Sequence, residues 1–127
     1  YEFGALLETV RHMMTSSKPP TALMCYSDFY AIHVYEALNQ LGFNIPEHVA
    51  VMGFCGFPGG VFFNPPLSTV DLKFEKLGEM AVDLILKHDQ WWGEGKAAPM
   101  IDTPYEVVLR ESANIARYER VFSRQVS

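Results

Sequence analysis

Between Thr21 and Val70 the chain places a strand, a tight polar turn, a helix, a second strand and a Gly/Pro loop in immediate succession. Ala22-Leu23-Met24-Cys25-Tyr26 is a short apolar run that stops at Ser27-Asp28. Ala31, Val34, Leu38 and Leu41 follow at the spacing of one helix face. Either Ser27 or Asp28 can accept a hydrogen bond from the free amides of the first turn, and Gly42 stands where helices commonly end in a left-handed residue. Asn44-Ile45-Pro46-Glu47-His48 leads into Val49-Ala50-Val51-Met52-Gly53-Phe54, an apolar run without alternation, which predicts a strand covered on both faces. The unit reads as parallel β-α-β. Open sheets of this kind bind ligands beyond the carboxyl ends of their strands, here Ser27-Asp28 and the loop from Cys55 to Asn64.

These residues resemble a known family. Pro20-Thr21-Ala22-Leu23, Ser27-Asp28 with Ala31, Gly42, Ile45-Pro46-Glu47-His48-Val49 and Val51-Met52-Gly53-Phe54 are similar to the effector domain of lactose-repressor-type (LacI/GalR) transcription regulators. The likeness continues through Pro65-Pro66-Leu67-Ser68-Thr69-Val70, Leu77-Gly78 and Val108-Leu109-Arg110-Glu111-Ser112, so that it runs from about Phe3 to Ala113. It implies an α/β fold with a parallel sheet flanked by helices, the C-terminal lobe of a periplasmic-binding-protein-like (type I) two-lobed domain, incomplete here. Residues 1–113 would be a partial effector-binding and dimerisation domain, comprising the second lobe and a crossover helix 74–88, and 114–127 a C-terminal tail.

Intact members carry a helix-turn-helix and hinge ahead of the effector domain. The helix bearing Phe3, Leu6, Leu7, Val10, Met13 and Met14 is similar to the one just before the Pro-Thr-Ala strand, so most of the first lobe is expected to be absent. Helix Phe74 to Lys87 would then lack its partners. Its stripe of Phe74, Leu77, Ala81, Leu84 and Ile85 should be buried on the second lobe or on another copy, because each such side chain contributes about 1.5–3 kcal/mol on burial.

Charge bears on the partners. The net charge is −5 and the ten Lys and Arg are scattered, so these residues lack the basic footprint of a nucleic-acid reader. Arg117, Arg120 and Arg124 share one side if the tail is helical, but Glu119 dilutes them and a solvated tail suffices. With 49% hydrophobic and 20% charged residues, the chain can build one core and is not a disordered segment. There is no membrane-length run, basic start or apolar signal core, and two cysteines make no disulfide framework, which points to a reducing cytoplasm. Expected partners are a carbohydrate-like effector, a second copy of the chain, and operator DNA only through a headpiece outside these residues. No membrane and no cofactor is expected.

Candidate ligand contacts implied by the resemblance are Ser27, Asp28, Cys55, Phe57 and Phe74. Ser27 stands where the family usually has an amide, and a serine there is equally explained as a helix cap. Asp28 is stabilised by the positive end of its helix, a sufficient structural reason for a carboxylate. Cys55 replaces the aspartate with which the family clasps sugar hydroxyls or a base nitrogen, and a thiol cannot make that grip. A less polar effector, an anchor from the absent lobe, or a regulator without small-molecule sensing all remain open. Cys25 and Cys55 lie near the ends of neighbouring strands, as a redox pair or as buried thiols. Phe57 lies in the loop after the second strand, where it could line a cleft. Phe74 matches a position where an aromatic often stacks on the effector, and its place on the helix stripe also suits a core.

A second surface is expected from Ile32 and Tyr35, off the main helix stripe, and from Val61-Phe62-Phe63, which would expose three large apolar groups. In the family this helix and loop pack about a two-fold axis, so Ile32, Tyr35, Phe62 and Phe63 are expected at an isologous dimer contact. Trp91-Trp92 lies in a loop from Lys87 to Met100, either clamping a planar ligand or closing over a helix end. No catalytic residue and no metal site is expected. There is no nucleophile elbow or phosphate loop, and His12, His33, His48 and His88 have no ligand spacing. A phospho-acceptor role for Asp28 would want acidic partners where Cys55-Gly56 stand. A periplasmic sugar-binding protein without DNA binding is the alternative.

Overall fold

A computed structural model describes residues 3–97 and 100–113. The tail 114–127, with its three arginines, lies outside them. The described residues form two compact units, the first from residues 3–71 and 107–113, the second from 72–97 and 100–106.

In the first unit, helix α1 (Phe3–Met14) precedes strand β1 (Ala22–Met24), helix α2 (Asp28–Gln40) and strand β2 (Ala50–Cys55). A short 3-10 turn, Pro58–Phe62, leads to strand β3 (Ser68–Asp71). Strand β4 (Glu106–Val108) completes a sheet of order β1-β2-β3-β4. β1 pairs in parallel with β2, Leu23 opposite Val51, and β2 with β3, Gly53 opposite Thr69. The expected α/β fold with a parallel sheet is therefore present.

Local chemistry sets the ends of α2. Ser27, extended at φ −153° and ψ 157°, accepts the Tyr30 amide through Oγ at 3.2 Å and is the N-cap. At the other end Gly42 takes φ 77°, with Phe43 N donating to Leu38 O at 2.9 Å and Gly42 N to Asn39 O at 3.1 Å. That pair of bonds is a Schellman motif, which satisfies the last carbonyls of the helix.

The core joins Leu6, Val10 and Met14 of α1, Ala31, Val34, Ala37 and Leu38 of α2, and Val49, Val51 and Leu67. Coverage of β2 differs from the expectation. Val49, Val51 and Gly53 are buried, whereas Met52 and Phe54 on the alternate face are only half-buried and Met24 of β1 is exposed. Val51 of β2 joins the cluster with both helices, while the alternate face is buried at Ala50 and opens toward Met52 and Phe54.

The second unit carries helix α3 (Phe74–Leu86) and the loop beyond it. None of the α3 residues is buried. Leu77, Met80 and Leu84 are half-covered, while Phe74, Val82, Ile85 and Leu86 are exposed. The sequence left the cover of this stripe open between the second lobe and another copy, because an amphipathic pattern records that a face suits burial, not which surface covers it. Trp91 donates its Nε1 proton to Leu84 O at 3.2 Å and meets Trp92 edge-on at 5.9 Å, closing over the helix end as one of the two sequence readings had it.

Candidate functional site

The carboxyl ends of β1 and β2 are organised by a buried carboxylate. Asp28, the first residue of α2, is 0% exposed. Its Oδ2 accepts the Phe57 amide at 2.5 Å and its Oδ1 accepts the Thr69 hydroxyl at 2.6 Å. One side chain at a helix start thereby holds the loop after β2 to strand β3, and both bonds are charge-assisted. The chain reaches this position through two successive left-handed residues, Cys55 at φ 97° and Gly56 at φ 78°. Such a φ is sparsely populated for a residue with a Cβ, so the surrounding bonds must hold Cys55 there. Gly56 has no alternative, because a Cβ would lie 2.7 Å from the Asp71 Cα.

The loop so fixed places Phe57 against Phe29, with ring centroids 4.6 Å apart, and Tyr26 packs on Tyr30 at 4.9 Å. Tyr26 and Phe29 remain mostly exposed beside the half-buried Phe57 and Cys55. An aromatic surface therefore lines the strand ends, with the Ser27 hydroxyl and the Cys55 thiol as its small polar groups.

Burial pushes the Cys25 thiol up to about 11, with the neighbouring Asp28 charge adding to it. Both cysteines are free. A raised value keeps Cys25 a thiol through neutral and mildly alkaline pH, which starves it of the nucleophilic thiolate. At about pH 8, iodoacetamide is expected to label Cys55 at least ~10-fold faster than Cys25, read by peptide mass spectrometry; equal labelling would contradict the burial argument.

The family model of the periplasmic binding protein-like domain matches residues 1–113. The chain belongs to the periplasmic binding protein-like family. That match supports the resemblance to the effector domains of LacI/GalR-type regulators. A ribose operon repressor from Haemophilus influenzae is 32% identical over 112 residues, covering 88% of this chain and 33% of that protein. An HTH-type transcriptional repressor PurR from Glaesserella parasuis is 29% identical, covering 83% of this chain and 32% of that protein. Among solved structures, a LacI family transcriptional regulator from Arthrobacter sp. FB24, in complex with lactose, is 27% identical with a TM-score of 0.72, covering 88% of this chain and 40% of that one. The chain thus spans about a third of the length of the curated relatives it matches. Both curated relatives are repressors.

Within the periplasmic binding protein-like frame, the structure brings Asp28 and Phe57 into direct contact, with Cys55 two residues away and Ser27 capping the same helix. The Asp28 carboxylate is enclosed and both its oxygens have protein donors, so its role in this structure is to hold the site together. Phe74 heads α3 in the second unit and is 55% exposed. Tyr26, Phe29, Thr69 and Gly53 were absent from the expected site. Gly53, interrupting an apolar strand, carries a signal that could have pointed there, since an isolated strand glycine often marks a close approach.

The dimer candidates divide. Tyr35 and Phe63 pack edge-on at 5.2 Å, and the Tyr35 hydroxyl donates to Pro65 O at 3.0 Å. Burial pushes that hydroxyl up to about 12. Phe62, 87% exposed, and Ile32, 42% exposed, are the outward-facing members, with Val61 beside them. Among the described residues no helix is long and apolar enough to cross a membrane.

Proposed function

We propose that this chain is the effector-sensing and dimerisation portion of a LacI/GalR-type DNA-binding transcription regulator that takes a small, sugar-like molecule at its lobe junction. The observation that carries the reading is the loop held by Asp28, which sets Phe57 against Phe29 of α2, beside Tyr26, at the carboxyl ends of a parallel sheet. Aromatic faces stack on the apolar face of a sugar or a planar base, and the Ser27 hydroxyl keeps a proton to donate while it accepts the Tyr30 amide. Cys55 adds little polar grip, which favours a ligand with a sizeable apolar face.

In this reading the protein is a cytoplasmic homodimer without catalysis, pairing through Ile32, Tyr35, Phe62 and Phe63. Operator DNA is read by a headpiece outside these 127 residues. Effector binding alters DNA affinity only by its differential affinity for two lobe arrangements. A periplasmic sugar-binding role is less favoured, because the named relatives are repressors.

The test is a thermal-shift screen of mono- and disaccharides and purines on the whole protein that carries this stretch. One ligand class is expected to raise Tm, and Phe57→Ala is expected to weaken its binding about tenfold or more, the loss of one stacking face. A wild type that responds to none of these ligands, or a Phe57→Ala protein that responds fully, would sink the reading.

A further inference from the structure

The second unit leaves the first after Asp71 and returns at Val107, so the two crossings of the chain are β3 and the segment from β4 to Ala113. A set of side-chain bonds ties them together. Ser68 Oγ accepts the Arg110 amide at 2.7 Å and donates to Arg110 O at 3.0 Å. Ser112 Oγ accepts the Ser68 amide at 2.8 Å and donates to Val51 O at 2.6 Å, and Ser112 N donates to Pro66 O at 3.1 Å. Both hydroxyls are fully buried and use donor and acceptor capacity together.

The Arg110 side chain continues the same set outward. Its Nη1 donates to Leu67 O and lies 3.5 Å from where a Gly60 Cβ would be. Leu67 N in turn donates to Gly60 O at 2.9 Å, and Phe63 N donates to the same carbonyl at 3.4 Å. The loop from Gly60 to Leu67, which carries Val61, Phe62 and Phe63, is therefore closed on itself at Gly60 and held from outside by the Tyr35 hydroxyl at Pro65 O, by Ser112 N at Pro66 O and by the Arg110 guanidinium at Leu67 O. That guanidinium belongs to the returning crossing.

We propose that Arg110 is the positioning residue of the dimer surface, holding the Gly60–Leu67 loop and its Phe62 knob in place from the segment just after β4, by which the chain returns from the second unit. The proposal rests on the dimer reading above. It makes the returning crossing a mechanical link, since displacement of Arg110 releases Leu67 O and slackens the loop that faces the partner copy. A half-buried guanidinium bonded to a carbonyl is rigid enough to hold the loop, and its loss need not unfold the sheet.

The test uses the 127-residue chain as wild type, Arg110→Gln and Arg110→Lys, with site-resolved amide exchange and sedimentation equilibrium. In Arg110→Gln the Phe63 and Leu67 amides are expected to exchange about tenfold faster and the dimer to weaken about tenfold, while the Cys25 amide, bonded to Met52 O in the sheet, keeps its rate. Arg110→Lys, which retains a long cationic donor, is expected to restore both. Unchanged exchange at Phe63 and Leu67 in the Gln variant would overturn the proposal, as would equal acceleration at Cys25, the mark of general destabilisation. A monomeric wild type would instead remove the dimer reading and the purpose given to Arg110, and the exchange rates would still report whether the guanidinium holds the loop.

Discussion

Gly53→Ala is expected to cost about 4 kcal/mol and to lower Tm by about 15 °C, as an overpacked core and a displaced carboxylate together require. A Cβ at Gly53 would lie 1.9 Å from Asp28 Oδ1, and 3.0 Å from both Asp28 Cγ and Leu67 Cδ2. None of these atoms is the free end of a mobile side chain. Asp28 is pinned between Phe57 and Thr69, and Leu67 is 0% exposed. Relief must come by moving Asp28 off its donors, which leaves a buried N–H and a hydroxyl unmatched. Two other glycines calibrate the effect. Gly4 and Gly78 lie in helices with nothing within 4 Å of an added Cβ, so alanine there should stabilise by up to about 1 kcal/mol through helix propensity. Thermal melts of the three variants decide the matter; a Gly53→Ala protein melting with Gly78→Ala would show that the site is looser than these distances say.

The contrast between Gly53 and Gly78 also shows what a sequence can and cannot hold. The β-α-β unit was legible because its signals are local: an apolar run, a capping pair, a helical spacing and a terminal glycine all fall within thirty residues or so. Even there the sequence left Ser27 and Asp28 as equal candidates for the cap, and only the backbone at Ser27 decides between them. The role of Asp28 was out of reach because its partners lie 29 and 41 residues along the chain, at Phe57 and Thr69. The bonds of Ser68 to Arg110 and Ser112 span 42 and 44 residues, and nothing in the spacing of two serines announces them. Cys55 was singled out by the family resemblance, whereas Phe29 lies off the helix stripe and is defined only by the ring across from it. The surface proposed for pairing was read from local composition alone. Large apolar residues in a loop signal a need for cover, but for Tyr35 and Phe63 much of that cover is each other.

Replacing Asp28 separates the geometric from the electrostatic part of the site. Asp28→Ala is expected to lose about 3 kcal/mol, since two bonds to a charged acceptor disappear and their donors stay behind in a buried place. Asp28→Asn has the same shape, and its consequence depends on which partner can adapt. The Phe57 amide can only donate, so it must keep the carbonyl oxygen of the new side chain. The Thr69 hydroxyl can turn and accept from the amide nitrogen, so both contacts survive in neutral form and the loss should be nearer 1 kcal/mol. Thr69→Val removes that adaptability. Beside Asp28 it strands a buried charged oxygen, beside Asp28→Asn only a neutral N–H, so the double variant should be destabilised by about 1 kcal/mol less than the sum of the two singles, a coupling within the range of contacting residues. Urea unfolding of the four proteins supplies the cycle. A simple additive result would mean that Thr69 and Asp28 do not act as a pair, and an Asp28→Ala protein no weaker than Asp28→Asn would mean that the loop bearing Phe57 is held by packing alone.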